Sequence, residues 1–125
     1  MIHGIGVDLV LVHRLSDMHA RYGERLARRI LAPEEMAEYA AAPDQNRFLA
    51  KRFAAKEAFA KAVGTGLRAP VSLAGIRVGH DPLGRPDFGY GQELSDWLAE
   101  RRIGRVHLSI SDEREHVVAF AVAET

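Results

Sequence analysis

The chain has 125 residues, with 17 basic and 17 acidic side chains, a formal net charge of zero and no cysteine. The charge balance argues against a general nucleic-acid binder, and the absence of thiols excludes disulfides, thiolate nucleophiles and cysteine-ligated zinc. Such a length suits one domain, residues 1–125, large enough for a core but short for an enzyme with its own closed cleft, so a site shared with a neighbouring subunit is expected.

Met1 to Leu11 reads as a strand, with Ile5, Val7 and Leu9 on one face and Gly4, Gly6 and Asp8 on the other. Val12 to Leu31 has a helical pattern interrupted at Gly23. Pro33, followed by Glu34 and Glu35, starts a short helix to about Ala41, because proline suits the first helical position and acids suit the positive helix end. Asp44 is a candidate N-cap for a long helix to Val63, and Gly64 suits its left-handed end. Ala74–Gly79 and Asp87–Tyr90 read as strands around the turn Asp81 to Pro86; Gln92–Arg102 is helical, with Trp97 packing from it. Arg105–Ser111 and His116–Glu124 form a closing hairpin around Asp112–Glu115. The expected fold is α+β, a mostly antiparallel sheet packed with a long central helix. Neither a membrane span of about 20 apolar residues nor a cleavable leader pattern is present, so a cytoplasmic location without membrane association is expected.

The long helix contains R-F-A-A-K-E-A-F-A-K at Arg52 to Lys61, followed by the turn Gly64-Thr65-Gly66. Phe53, Glu57, Ala60, Lys61 and Gly64 fall on one side of it. One reading of Glu57 and Lys61 is an exposed i, i+4 pair, adding about 0.2–0.5 kcal/mol to the helix. The other is functional. Fourteen arginines accompany only three lysines, Lys51, Lys56 and Lys61, all in this helix. A chain so rich in arginine has reason to keep lysine where a compact point charge meets a phosphate. Asp8 likewise reads either as a strand-end residue bonding its own backbone or as a ligand beside open space left by Gly4 and Gly6. Magnesium takes oxygen ligands, usually one or two carboxylates with water and substrate phosphates, a set that Asp8 and Glu57 match. In Arg105–Ser111, His107, Ser109 and Ser111 share a face that is either simply solvated or lines a cleft.

Four segments resemble the holo-[acyl-carrier-protein] synthase family, the small bacterial 4′-phosphopantetheinyl transferases: G-I-G-V-D-L-V at Gly4–Val10, the Arg52–Ala62 run with its G-T-G, G-R-P at Gly84–Pro86, and H-L-S-I-S-D-E-R at His107–Arg114. Asp112 stands where family members often have histidine, which leaves the role of that position open. The resemblance implies a 4′-phosphopantetheinyl transferase-like domain that moves the phosphopantetheine arm of coenzyme A to a serine of apo acyl carrier protein, in support of fatty acid biosynthesis, releasing adenosine 3′,5′-bisphosphate. It implies that Asp8 and Glu57 bind magnesium and that Lys61 neutralises the pyrophosphate. It implies that Arg52, Gly64, Thr65, Gly66, Pro86 and His107 hold the nucleotide. A water on the metal, Glu57 and His107 all remain open as acceptors of the serine proton. A homotrimer with sites at subunit boundaries is implied as well.

An acidic carrier requires a basic docking surface. Arg14, Arg21, Arg25, Arg28 and Arg29 outnumber Asp17 and Glu24 between Leu11 and Leu31, and on a continuous helix Arg14, Met18, Arg21 and Arg25 form one row. The plain reading of that row is a solvated face; the resemblance makes it the carrier contact. Two alternatives stand beside this reading: the same fold serving polyketide or peptide synthase carriers, and a non-enzymatic binding module.

Overall fold

The computed structural model describes residues 1–125. β1 (Ile2–Leu11) runs directly into α1 (Val12–Tyr22), which stops at Gly23 with φ of 58°, a conformation that favours glycine. α2 (Glu24–Ile30) is therefore a separate helix. A single 3₁₀ turn at Pro33–Glu35 leads into α3 (Met36–Ala41). α4 (Gln45–Val63) is capped by Asp44, whose Oδ1 accepts the Arg47 N–H at 3.0 Å, and ends at left-handed Gly64.

β2 (Ile76–His80) and β3 (Pro86–Tyr90) form a two-stranded hairpin. β2 starts later than expected because the Ser72 hydroxyl and carbonyl oxygens both accept the Gly75 N–H, turning the chain there. α5 (Gln92–Glu100) ends short of Arg102, whose φ of 59° cannot continue a helix. Trp97 is half-buried, and the Arg101 guanidinium stacks 3.9 Å from its ring centre. β4 (Val106–Asp112) and β5 (His116–Glu124) close the chain. The main sheet has the order β1-β5-β4, antiparallel throughout. The α+β expectation holds, with the β2–β3 hairpin as a separate small sheet.

One face of the main sheet lies on α4, and small residues on both sides let backbone approach backbone. A methyl group on Gly4 would sit 2.2 Å from the Ala62 carbonyl oxygen, and one on Gly6 would sit 2.1 Å from that of Ala58. Ala119, Ala121 and Ala123 of β5 are fully buried on the same face. The glycines of β1 therefore admit a helix; they do not leave the open space beside Asp8 that the sequence suggested. The alternation along β1 is as expected, yet its apolar side is the outer one: Ile5, Val7 and Leu9 are 61%, 53% and 64% exposed, beside Phe120 at 44%. Row by row across the sheet, Ile5 pairs with Val122, which pairs in turn with His107, and Val7 with Phe120, which pairs in turn with Ser109.

Candidate active site

β1, α1, α2 and α4 surround a cleft of about 850 Å³. Asp8 enters it from the inner side of β1, while Phe53, Glu57 and Lys61 enter from one stripe of α4. The Lys61 ammonium donates to the Val7 carbonyl at 2.8 Å and to Asp8 Oδ1 at 3.2 Å. Lys61 thus pairs with Asp8, not with Glu57, so the surface i, i+4 pair is not what forms. Burial, reinforced by the Asp8 charge and opposed by Lys61, pushes the Glu57 carboxyl above the usual carboxylate range.

Two carboxylates thus face one cleft with a single ammonium between them. No group of three histidine, cysteine or acidic residues forms a complete metal cage. The donor set fits magnesium, which needs only oxygen ligands and commonly takes two carboxylates, leaving its other positions to water and phosphate oxygens. A divalent cation would also offset the burial, and the lesser repulsion from Asp8, that raise Glu57.

Pro86 and His107 come together elsewhere, in a groove of about 420 Å³ that also contains Arg85, Arg105 and Ser109. His107 Nε2 lies 3.0 Å from Glu124 Oε2, and this partner holds the exposed Glu124 carboxyl below its ordinary range. No residue lines both the cleft and the groove. Arg85 and Arg105 escaped sequence reasoning, although Arg85 lies inside the G-R-P segment.

Other expected site residues lie in different settings. Arg52 is buried, donating to Glu35 at 2.8 Å, to Glu38 at 3.2 Å and to the Val78 carbonyl at 2.9 Å, so its charge is already answered in the core. The Gly64 and Gly66 N–H groups both donate back to carbonyls of α4, and the Thr65 hydroxyl donates to Gly66. These glycines serve positive φ at the helix end, and their amides are not free for a phosphate. Arg14, Met18 and Arg25 line the cleft, with Arg25 on α2 beyond the break at Gly23; Arg21, on α1 with Arg14 and Met18, is exposed and does not line it, so the expected row does not hold as one face. Asp112 accepts Arg47 at 3.1 Å and lies 3.5 Å from Lys51, which ties the β4–β5 hairpin to the start of α4. Lys56 is wholly buried and meets no phosphate site.

A family model described as the 4′-phosphopantetheinyl transferase superfamily matches residues 4–121. The chain is 59% identical over 124 residues to the holo-[acyl-carrier-protein] synthase of Laribacter hongkongensis (strain HLHK9), covering 99% of each. Its fold superposes on the crystal structure of holo-[acyl-carrier-protein] synthase from Neisseria meningitidis with a TM-score of 0.97 at 54% identity, covering 100% of both chains. The structure of the Bacillus anthracis str. Ames synthase in complex with CoA (3′,5′-ADP) gives a TM-score of 0.81 at 37% identity, covering 100% of this chain and 98% of that one.

Proposed function

The chain belongs to the 4′-phosphopantetheinyl transferase superfamily, and we propose that it moves the 4′-phosphopantetheine arm of coenzyme A to a serine of apo acyl carrier protein, releasing adenosine 3′,5′-bisphosphate. The observation that carries this reading is the convergence of Asp8, Glu57 and Lys61 in one cleft rimmed by arginines. In the reaction the serine hydroxyl oxygen bonds to the phosphorus that bears pantetheine, and the bond to the departing bisphosphate breaks. Such transfers rest on positioning and charge stabilisation more than on covalent catalysis.

Asp8 and Glu57 would hold magnesium, which when bound supplies charge neutralisation to the pyrophosphate. Lys61, with its ammonium already beside Asp8, donates to the phosphate oxygens. Within one chain, Glu57 lies in this cleft and takes the serine proton on a carboxylate oxygen that the metal leaves free. His107 lies in the other groove and joins the reaction only where a second copy supplies it. Arg85, Arg105 and His107 there form a basic recess for the nucleotide phosphates, next to Pro86. Arg52, the Gly64 and Gly66 amides and the Thr65 hydroxyl are left out of this nucleotide site because their hydrogen bonds are spent within the fold.

Arg14 and Arg25, with Met18, form a basic rim with an apolar centre, suited to an acidic carrier protein in the cytoplasm, where the holo product serves fatty acid biosynthesis. The exposed face of Ile5, Val7, Leu9 and Phe120 supports a homotrimer with active sites at subunit boundaries, since the chain separates its cleft from the His107 groove. No helix is long and apolar enough to cross a membrane. Intact-mass measurement of an apo carrier after incubation with coenzyme A and magnesium tests the reading. The expected result is a gain of one phosphopantetheine group, and no gain with any carrier, including polyketide and peptide synthase carriers, refutes it.

A further inference from the structure

Glu35, Arg52 and Lys56 are the charged side chains buried in the core, and neither the cleft nor the groove takes them as lining residues. Glu35 sits at the end of the 3₁₀ turn. Its Oε1 accepts the Lys56 ammonium at 2.5 Å and the Ala32 N–H at 2.8 Å, and its Oε2 accepts Arg52 at 2.8 Å and the Val78 N–H at 3.0 Å. Both oxygens are thus doubly used. Lys56 spends its remaining donors on the Ile30 carbonyl at 2.8 Å and the Leu73 carbonyl at 3.0 Å. Three donors meet three acceptors around one nitrogen, which an ammonium can satisfy and a planar guanidinium cannot. This explains a lysine here in a chain that otherwise favours arginine.

The acceptors are informative. Ile30, at the end of α2, and Leu73, before β2, both line the cleft that contains Glu57. Lys56 precedes Glu57 on α4, so one buried ammonium links two cleft walls to the helix that presents the carboxylate. We propose that Glu35 and Lys56 are positioning residues for transfer, holding the Ile30 and Leu73 walls in register with Glu57 without touching substrate. The inference rests on the phosphopantetheinyl transfer reading above. Stability alone accounts poorly for the arrangement, because buried ion pairs replaced by apolar residues often leave proteins equally stable. Geometry accounts for it better: a misplacement of about 1 Å can cost on the order of a hundredfold in rate.

The test compares wild type, Lys56→Met and Lys56→Arg in phosphopantetheinyl transfer, with rates expressed per folded molecule as judged by near-UV circular dichroism and size exclusion. Both variants are expected to lose about ten- to a hundredfold in kcat while KM for coenzyme A stays within about threefold. Arginine keeps the charge but cannot make the three bonds, so it should not rescue. A purely structural role predicts lower melting temperatures with wild-type kcat in the folded fraction, and that outcome overturns the proposal. Rescue by arginine also overturns it. If the Lys56 variants do not fold, Glu35→Asp, which retracts the carboxylate by one methylene, is expected to show the same kcat loss in weaker form. Wild-type kcat in that variant, or failure of all three to fold, overturns the proposal. A wild-type protein that transfers nothing would instead refute the functional reading itself.

Discussion

Gly6→Ala tests how the cleft is built. The added methyl would lie 2.1 Å from the Ala58 carbonyl oxygen and 2.8 Å from both the Ala62 nitrogen and the Lys61 Cβ. Two of these atoms are backbone of a helix buried on most sides, so no rotamer change relieves the clash. β1 must retreat from α4 by about 1 Å, at an overpacking cost of about 1–3 kcal/mol, equivalent to a melting temperature lower by roughly 4–12 °C. Asp8, two residues along the strand, moves with it and away from Lys61, which it now meets at 3.2 Å. A displacement of that size predicts a loss of about a hundredfold in kcat/KM. Gly64→Ala is the control. Nothing lies near its added methyl, and its φ of 93° costs about 1–2 kcal/mol of stability without moving Asp8 or Glu57. Thermal melts and carrier loading followed by intact mass measure both effects. A Gly6→Ala protein that loads carrier within threefold of wild type would refute the link between strand–helix approach and site geometry.

Glu57→Gln should abolish transfer and leave the melting temperature equal or higher, since Glu57 has no hydrogen-bond partner in the fold and its charge is opposed by burial and by Asp8. Its raised pKa has a definite sign in linkage: the stability it contributes is complete below the unfolded pKa and is lost as pH rises through the folded one, a slope that Glu57→Gln should remove from a pH series of melts. Magnesium should stabilise wild type by about 2.7 kcal/mol at a hundredfold excess over Kd, reversed by chelation and missing in Asp8→Asn; an equal shift in that variant would remove Asp8 from the metal site. His107→Ala should raise KM for coenzyme A about tenfold while leaving the magnesium shift intact, and an unchanged KM would detach the groove from the nucleotide. Phe120→Asp should convert a trimer to monomers with loss of transfer, as read by light scattering. A fully active monomer would show that the outer sheet face serves another purpose.

The strands, helices and their caps were readable from periodicity, glycine, proline and Asp44, because those signals act over a few residues. Asp8, Glu57 and Lys61 were readable as candidates because a carboxylate beside two glycines, and a carboxylate one turn from one of only three lysines, stand out among so much alanine and arginine. The charge on Arg52, by contrast, looked available for a nucleotide. Glu35, Glu38 and the Val78 carbonyl, all distant in sequence, decide that the charge is spent in the core. Lys56 was indistinguishable from Lys61 by residue type, yet the first points into the core and the second into the cleft. Gly4 and Gly6 announced a close approach, and the approaching group turned out to be a helix.

By itself, then, the sequence determined the α+β elements and offered a strand carboxylate and a helix carboxylate as candidate ligands, while its resemblance to a known family supplied the reaction class. Tertiary structure alone decided which charges line the cleft and which face each other, that Lys61 pairs with Asp8, and that His107 lies in a groove apart from Glu57. The reason is physical. Local propensity depends on neighbours along the chain, whereas the partner of a charge and the burial that shifts its pKa depend on segments that meet only when the sheet closes on α4.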